Sequence, residues 1–456
     1  MSNAYTYSNP YLSLWQSAAH KVNLRRQLSP TRRAMMAMPA TARTTAAVDL
    51  MAPVDLVGAP STIGRNYTPA TTPPRAATRL DLAASAEAVI LDCAKVAAEF
   101  LWAEITGDHA KADILAGELK DSECDIGWSE CLATYLAFKA SMGQIPYRPN
   151  KNPVFNLDAK TRLAIVGDWG TGDDVATNLL KQVAAFSPDI LLHLGDVYYS
   201  GTQDEERENF LDICQQVLGN NVRLYSLCGN HDVYSGGDGY YWLIDQIGQQ
   251  ASYFCLQNAN WQFLAMDTGY NDNDPFTVGS NMTGLVRIGS WAEEDWHLDK
   301  INLAGSRKNV LLSHHQLFSP FGSVGSDGTG KAFAYNKHLR GTFQAVMDKI
   351  VLWFWGHEHT LAVFDPYMDL KRGRCVGASA VPVFKDQQSY SDASGLETYG
   401  GVPLPTWNPM GVLATNLDDY NNCFAIMTIN GPSANVDYYQ VPILKPAIKL
   451  NVSDSM

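Results

Sequence analysis

Although the sequence contains eight cysteines, at positions 93, 124, 131, 214, 228, 255, 375 and 423, none are spaced as CxxC. The chain therefore has no paired-thiolate motif. Cys214, Cys228 and Cys255 fall within apolar patterns and read as buried thiols. Because the count is even, disulfides in an oxidising compartment stay open. No apolar run approaches the roughly 18 residues that a membrane helix needs, so no membrane span is expected. Base is short relative to acid, with a net charge of −13. The shortage is uneven: residues 1–80 hold nine Lys/Arg and two Asp/Glu, or +7, which leaves −20 for the rest. An acidic body argues against a broad nucleic-acid surface and suits cation binding. No internal repeat is visible.

Residues 1–80 also lack a sustained hydrophobic period. They are rich in Ala, Thr, Pro, Ser and Arg, and read as a disordered basic arm. The continuous apolar segment of a secretory signal is missing. Thr31-Arg32-Arg33 followed by AMMAMPATA resembles a twin-arginine export signal, but Arg43 and the threonines cut it short. An acid-poor arm is also similar to an organellar transit peptide. The plainer reading is a solvated tail, with a cytoplasmic location by default.

With 456 residues and 46% hydrophobic content, the chain can hold two or three domains, or one large domain with extensions. Residues 81–150 read as a helical module and its linker. RLDLAASAEAVILDCAKVAAEFLWAEI has apolar residues at three- and four-residue steps, and QIPYRPNKNPVF is a Pro/Asn-rich connection. A protein partner docking through this helical module is expected. From residue 151 to 456, strand-like and helix-like stretches alternate, and the chain finishes in strands. This pattern predicts an α/β fold, a two-layered β-sandwich flanked by helices.

Within that region five apolar runs each end in oxygen or imidazole donors. LAIVGDWG ends in Asp168, LLHLGDVYY in Asp196, and LYSLCGNHD in Asn230, His231 and Asp232. VLLSHHQ ends in His314 and His315, and VLWFWGHEH in His357 and His359. Buried strands that stop this way place their donors at the rim of a sheet, where α/β enzymes keep their chemistry. Five of the ten histidines sit in these motifs, a concentration that solvated or core histidines would not produce. The other five, His20, His109, His193, His297 and His338, read as structural or surface groups. Hard oxygens with imidazoles and no thiolate suit Zn, Fe or Mn. Six or seven donors exceed the needs of one tetrahedral ion. Two ions sharing Asp196 would use them, in the paired arrangement suited to in-line attack on phosphorus by a bridging hydroxide.

GDWG, GDVYY, GNHD, SHHQ and GHEH, in that order over Leu163–Thr360, resemble the five motifs of the calcineurin-like metallophosphoesterases. The purple acid phosphatase branch is the nearest in pattern, with a weaker echo in VGASA at 376–380. The resemblance implies a four-layer α/β/β/α metallophosphoesterase sandwich. It implies a first metal held by Asp168, Asp196, Tyr199 and His359, and a second held by Asp196, Asn230, His314 and His357. His231 would be the acid near the leaving group, with Asp232 as its orienting neighbour. Many relatives carry a histidine two residues after the first aspartate. Here that place is Gly170, and Tyr199 fills the vacancy in the resemblance. A phenolate would favour ferric iron, so iron with zinc or manganese is the expected pair. His315-Gln316 after the fourth-motif histidine departs from the purple enzymes. His315 is expected to face the substrate, a small phosphorylated molecule.

Other residues read differently. Tyr198 is expected to pack, because adjacent strand residues point apart. Asp173 reads as a helix cap, and Asp267 in FLAMDTG as a group that orients a ligand. GSDGTGKA at 325–332 fits GxxxxGK, but Ala332 replaces the Ser/Thr of a nucleotide-binding loop; a loop over the metal cleft is expected instead. The expected activity is hydrolysis of phosphate monoesters, with a phosphodiesterase of the same fold or a catalytically silent binding module as the alternatives.

Overall fold

The computed structural model describes residue 138 and residues 143–273, 282–326, 331–381, 383, 390–416, 419–442 and 445–456. The basic arm and all but the end of the helical module lie outside the described residues. So does the tip of the GSDGTGKA stretch, whose ends pair as Gly325–Ser326 with Ala332–Phe333. The described residues fall in one compact unit that contains 130–456.

In chain order the principal strands are β1 (Val154–Asn156), β2 (Lys160–Val166), β3 (Ile190–His193), β4 (Arg223–Ser226), β5 (Phe254–Gln257), β6 (Trp261–Ala265) and β7 (Lys308–Ser313). They continue with β8 (Ile350–Trp355), β9 (Leu361–Val363), β10 (Gly373–Val376), β11 (Asn422–Asn430), β12 (Ser433–Val441) and β13 (Ile448–Ser455). The main helices are α1 (Asp174–Ala184), α2 (Asp212–Leu218), α3 (Asp238–Gln246), α4 (Glu293–Asn302) and α5 (Lys337–Phe343).

Two sheets result. One has six strands in the order β13-β12-β11-β2-β3-β4, with β2, β3 and β4 parallel and the C-terminal strands antiparallel. The other has seven, in the order β1-β5-β6-β7-β8-β10-β9. Leu163, Ile165, Leu192, Phe263, Val310, Leu312, Leu352 and Phe354 meet between the sheets. The alternate residues face outward. Ala164, Val166 and Leu191 pack under Leu179, Leu180 and Val183 of α1 and Cys214 of α2. Leu311, Trp353 and Trp355 pack under Ile301 of α4 and Leu339 and Phe343 of α5. Four layers, α/β/β/α, follow from these two faces. Strands covered on both sides bury every residue, which is why they read as unbroken apolar runs.

Local signals account for several boundaries. Asp173 caps α1, its Oδ1 accepting the Ala176 amide at 2.8 Å. Asn258 Oδ1 accepts the amides of Asn260 and Trp261 and closes the β5–β6 hairpin. The glycine-rich stretch SGGDGYYWLIDQIG forms α3, with Tyr240, Leu243 and Ile244 buried. Tertiary burial of that apolar face overrides weak local propensity. Arg374 of β10 donates to both oxygens of Asp454 in β13 at 2.7 and 2.6 Å, so a buried ion pair ties the two sheets together.

The Pro/Asn-rich stretch is not a free linker. Ile145 joins the cluster of Cys228, Val233, Tyr240, Tyr241 and Ile244. Arg148 grips Asp245 through both terminal nitrogens at 2.6 and 2.8 Å. Tyr147 lies among Tyr253, Tyr270 and Trp291 and donates to Glu293 Oε2 at 2.8 Å. Glu293 Oε1 in turn accepts the Asp267 amide at 2.9 Å, and His297 Nε2 lies 3.1 Å from it.

Burial pushes the Glu293 carboxyl from its usual 4.5 up to about 8. A folded-state value above the unfolded one means that the native chain holds the extra proton. The stability this contributes is full below about pH 4.5 and is lost as pH rises through about 8. Glu293→Gln mimics the protonated form. Urea unfolding from pH 5 to 8.5 should show a shallower loss of stability in this variant than in the parent, by up to a few kcal/mol. Parallel profiles would mean that Glu293 is not the titrating group.

Candidate metal centre

The C-terminal ends of parallel strands from both sheets meet at one edge of the sandwich. Strands β2, β3 and β4 deliver Asp168, Asp196 and Asn230, and β7 and β8 deliver His314, His357 and His359. All six are buried. Asp168, Asp196 and His357 have φ of +55°, +74° and +61°. Such backbone is uncommon outside glycine and clusters at functional sites. It turns each chain sharply off its strand and aims the side chain across the seam. Glycines allow the close approach: a Cβ at Gly229 would stand 2.2 Å from Asp196 Oδ1, and one at Gly356 2.7 Å from Asp168 Oδ2.

The contacts form one continuous cluster. His314 Nδ1 lies 2.9 Å from the Leu194 carbonyl, which can only accept, so Nδ1 carries the proton and Nε2 a lone pair. Around Nε2 stand Asn230 Oδ1 at 3.0 Å, His357 Nδ1 at 3.1 Å and Asp196 Oδ2 at 3.4 Å. Asn230 is oriented by donating its amide to Tyr234 at 2.6 Å. On the other side of Asp196, His359 Nε2 is 3.4 Å from Asp168 Oδ1, and Asp168 Oδ2 accepts the His357 amide at 2.8 Å. Among the described residues, the ion-pair partners of Asp168 and Asp196 are histidines, with no lysine or arginine. So many acceptor atoms facing one another require a cation or protons between them. Without a metal, protons do the work. Burial opposes charge on His314, but Asp196 outweighs it and pushes the imidazole up to about 9. Burial likewise resists the Asp196 charge, yet His314 and His231 hold its carboxyl well below the usual range. The ligand atoms of Asp168, Asp196 and His314 lie within 4.8 Å of one another, as do those of His314, His315 and His357. Both groups could hold a metal ion, and the donor set suits Zn, Fe or Mn.

Four expected roles change. Tyr198 does not merely pack. Its hydroxyl is 3.3 Å from Asp168 Oδ1, 3.3 Å from Asp196 Oδ2 and 3.1 Å from His359 Nε2. Alternation fails as an argument here because β3 ends at His193 and the turn at Asp196 lies between. Tyr199, expected to supply this phenol, meets the site through its backbone: its carbonyl accepts His231 Nδ1 at 2.7 Å and its amide donates to Glu205. Asp232 does not orient the His231 ring. It accepts the amides of Gly229, Asp196 and Val197 at 2.6, 3.0 and 2.9 Å, and so holds two motif loops together. His315 is buried with both nitrogens occupied, by Thr268 Oγ1 at 2.9 Å and Asp272 Oδ2 at 3.0 Å, and does not face open space. With His231 Nδ1 fixed on the Tyr199 carbonyl, its Nε2 lies 4.0 Å from Asp196 Oδ2.

Supporting residues were only partly visible in sequence. Asp267 braces its own loop by accepting the Tyr270 amide at 3.0 Å. In VGASA, Ser379 Oγ accepts the Gly167 amide at 3.0 Å and donates to the Cys423 carbonyl at 2.8 Å, steadying the residue before Asp168. Thr268 and Asp272 carried no sequence signal, since a lone Thr or Asp in a polar loop looks like any other; Glu205 closes a capping box with Thr202, a helix-start pattern that was there to be read.

With this geometry in place, the chain can be set beside known proteins. Residues 161–361 match the family model for calcineurin-like phosphoesterase, which supports placing this region in the metallophosphoesterase superfamily. Among solved structures, the chain is similar to GAP50, described as the anchor in the inner membrane complex of Plasmodium. The identity is 12%, 65% of this chain and 90% of that one are covered, and the TM-score is 0.39. It is also similar to Vacuolar Protein Sorting 29 from Cryptosporidium parvum (13%, 66% and 99%, TM-score 0.32) and to TT1561 of Thermus thermophilus (7%, 50% and 96%, TM-score 0.32). The search of curated proteins gives no match. No helix among the described residues is long and apolar enough to cross a membrane.

Two measurements follow from the cluster. Asp196→Asn removes the charge that faces both histidine groups and should lose at least one bound metal per chain by elemental analysis. Two metals retained would rule out a shared carboxylate. Tyr198→Phe should weaken metal retention during dialysis against a chelator, while Tyr199→Phe stays near the parent. The reverse order would return the role to Tyr199.

Proposed function

We propose that the chain is a dinuclear metal-dependent phosphoesterase acting first on phosphate monoesters. The observation that carries the reading is the buried convergence of acceptor atoms around His314 Nε2 and Asp196, with histidines as the only ion-pair partners of its carboxylates among the described residues. Asp168, Asp196, His359 and the Tyr198 phenol would hold the first metal. Asp196, Asn230, His314 and His357 would hold the second. Such a pair supplies positive charge for phosphoryl oxygens and a nucleophile drawn from water near neutral pH.

The remaining work falls to the protein. His231 presents Nε2 to the side of the cluster and is the group to hydrogen-bond, then protonate, the leaving oxygen. Asp232 fixes the loops that carry Asp196 and Asn230, which keeps their donors within the tolerance that positioning requires. Tyr198, a hard phenol donor beside Asp168, favours ferric iron at the first position, with zinc or manganese at the second.

Purified protein should turn over an aryl phosphate monoester faster than the matching diester. The opposite preference would favour a phosphodiesterase. No metal after careful purification and no turnover of either would favour a binding module directed by the N-terminal region. His231→Ala should slow esters with poor leaving groups by about 10²–10⁴-fold and an activated aryl ester far less. Equal losses would give His231 a phosphate-binding or structural role. If iron occupies the first position, the protein should absorb broadly in the visible and lose the band in Tyr198→Phe; a colourless, iron-free and fully active protein would remove the iron assignment.

A further inference from the structure

The loop of the third motif is covered by a part of the chain that the functional reading does not use. After the single turn His231–Val233, the chain runs through Tyr234, Ser235, Gly236 and Gly237 directly into α3. Gly236 and Gly237 are buried, with φ of +102° and +80°. Two adjacent glycines make a very permissive backbone, so contacts from outside the loop must hold it. A Cβ on Gly236 would stand 2.4 Å from Phe138 Cδ2, and one on Gly237 3.1 Å from Ile145 Cγ2. The side chains that the glycines lack are thus supplied by residues from far earlier in the chain.

The same loop sets the direction of two site residues. Tyr234 accepts the Asn230 side-chain amide at 2.6 Å, and its ring centroid lies 4.9 Å from that of His231. Asn230 Oδ1 in turn faces His314 Nε2 at 3.0 Å. Val233, the residue before Tyr234, is buried in the cluster that Ile145 joins. The covering segment is itself anchored. Arg148 donates to both oxygens of Asp245 near the end of α3, and its guanidinium lies 5.1 Å from the centre of the Tyr241 ring. Tyr147 is fixed on Glu293 at 2.8 Å. These polar anchors keep Ile145 seated over the glycines.

We propose that Phe138 and Ile145 are positioning residues for the leaving-group acid: seated on Gly236-Gly237, they hold Tyr234 and, through it, His231 and Asn230. This rests on the phosphoesterase reading above, in which His231 protonates the leaving oxygen, and it gives the stretch before the catalytic domain a part in that step. A residue that acts by aiming the acid matters most where the acid matters most. Loss of Ile145 should therefore slow esters whose leaving oxygen needs a proton and largely spare those whose leaving oxygen does not. A contact that merely held the fold together would show no such preference.

The test uses the full chain with its metals and two aryl phosphate esters, one activated and one with a poor leaving group. Ile145→Ala should lower kcat for the poor leaving group by about 10–100-fold with KM little changed, and lower it far less for the activated ester. Phe138→Ala should act in the same direction. In a His231→Ala background, Ile145→Ala should add little, because the group it aims is gone. Arg148→Gln loosens the anchor at a partly exposed side chain and should show the same preference more weakly; it carries the test if Ile145→Ala fails to fold. Equal losses on both esters, losses that add in full to those of His231→Ala, or parental kinetics in these variants would overturn the inference alone. A parent chain without turnover, or a His231→Ala variant that slows both esters equally, would overturn the reading of His231 and the inference with it.

Discussion

The lone pair on His314 Nε2 is the constraint on which the rest of the site depends. A backbone carbonyl claims the Nδ1 proton, and an amide oxygen, an imidazole nitrogen and a carboxylate oxygen crowd the other nitrogen. Such a set repels itself unless positive charge sits within it. The chain spends its architecture on creating that repulsion. One sheet brings the carboxylates, the other brings the imidazoles, and the apolar layer between the sheets prevents them from sliding apart. Left-handed backbone at Asp168, Asp196 and His357 turns the donors inward, at a cost of roughly 1–3 kcal/mol per residue.

Behind the donors, other carboxylates serve as clamps. Asp232 collects three backbone amides from two loops, and Glu205 collects those of Tyr199 and Thr202. Glu293 joins Tyr147, from the Pro/Asn-rich stretch, to the loop that carries Thr268 and Asp272. The segment 143–150 thus reaches the donor cluster through Tyr147, Glu293 and the loop from Asp267 to Asp272, whose last residue holds His315. Each step replaces water with a fixed donor or acceptor, the condition for a group to keep its direction in a low-dielectric interior.

Much of this was written in the chain before any folding. Strands covered on both faces must be continuously apolar, so VLLS and VLWFW announced themselves, and their ends located Asp168, Asp196, Asn230, His314, His357 and His359. The N-cap at Asp173 is a local hydrogen bond and was equally legible. Which tyrosine reaches the cluster was not legible, because side-chain direction is set by period two only while the strand lasts, and β3 stops at His193. Nor were the partners of Asp232 and His315, since a buried polar group takes whichever donor or acceptor the tertiary fold brings within about 3 Å. The α3 helix and the anchoring of Tyr147 belong with these, as both depend on apolar surface that exists only once distant segments have met. The sequence by itself determined which residues could bind a cation. The tertiary structure decided which atoms of those residues face one another, because that depends on loop dihedrals and contacts across more than a hundred positions of chain.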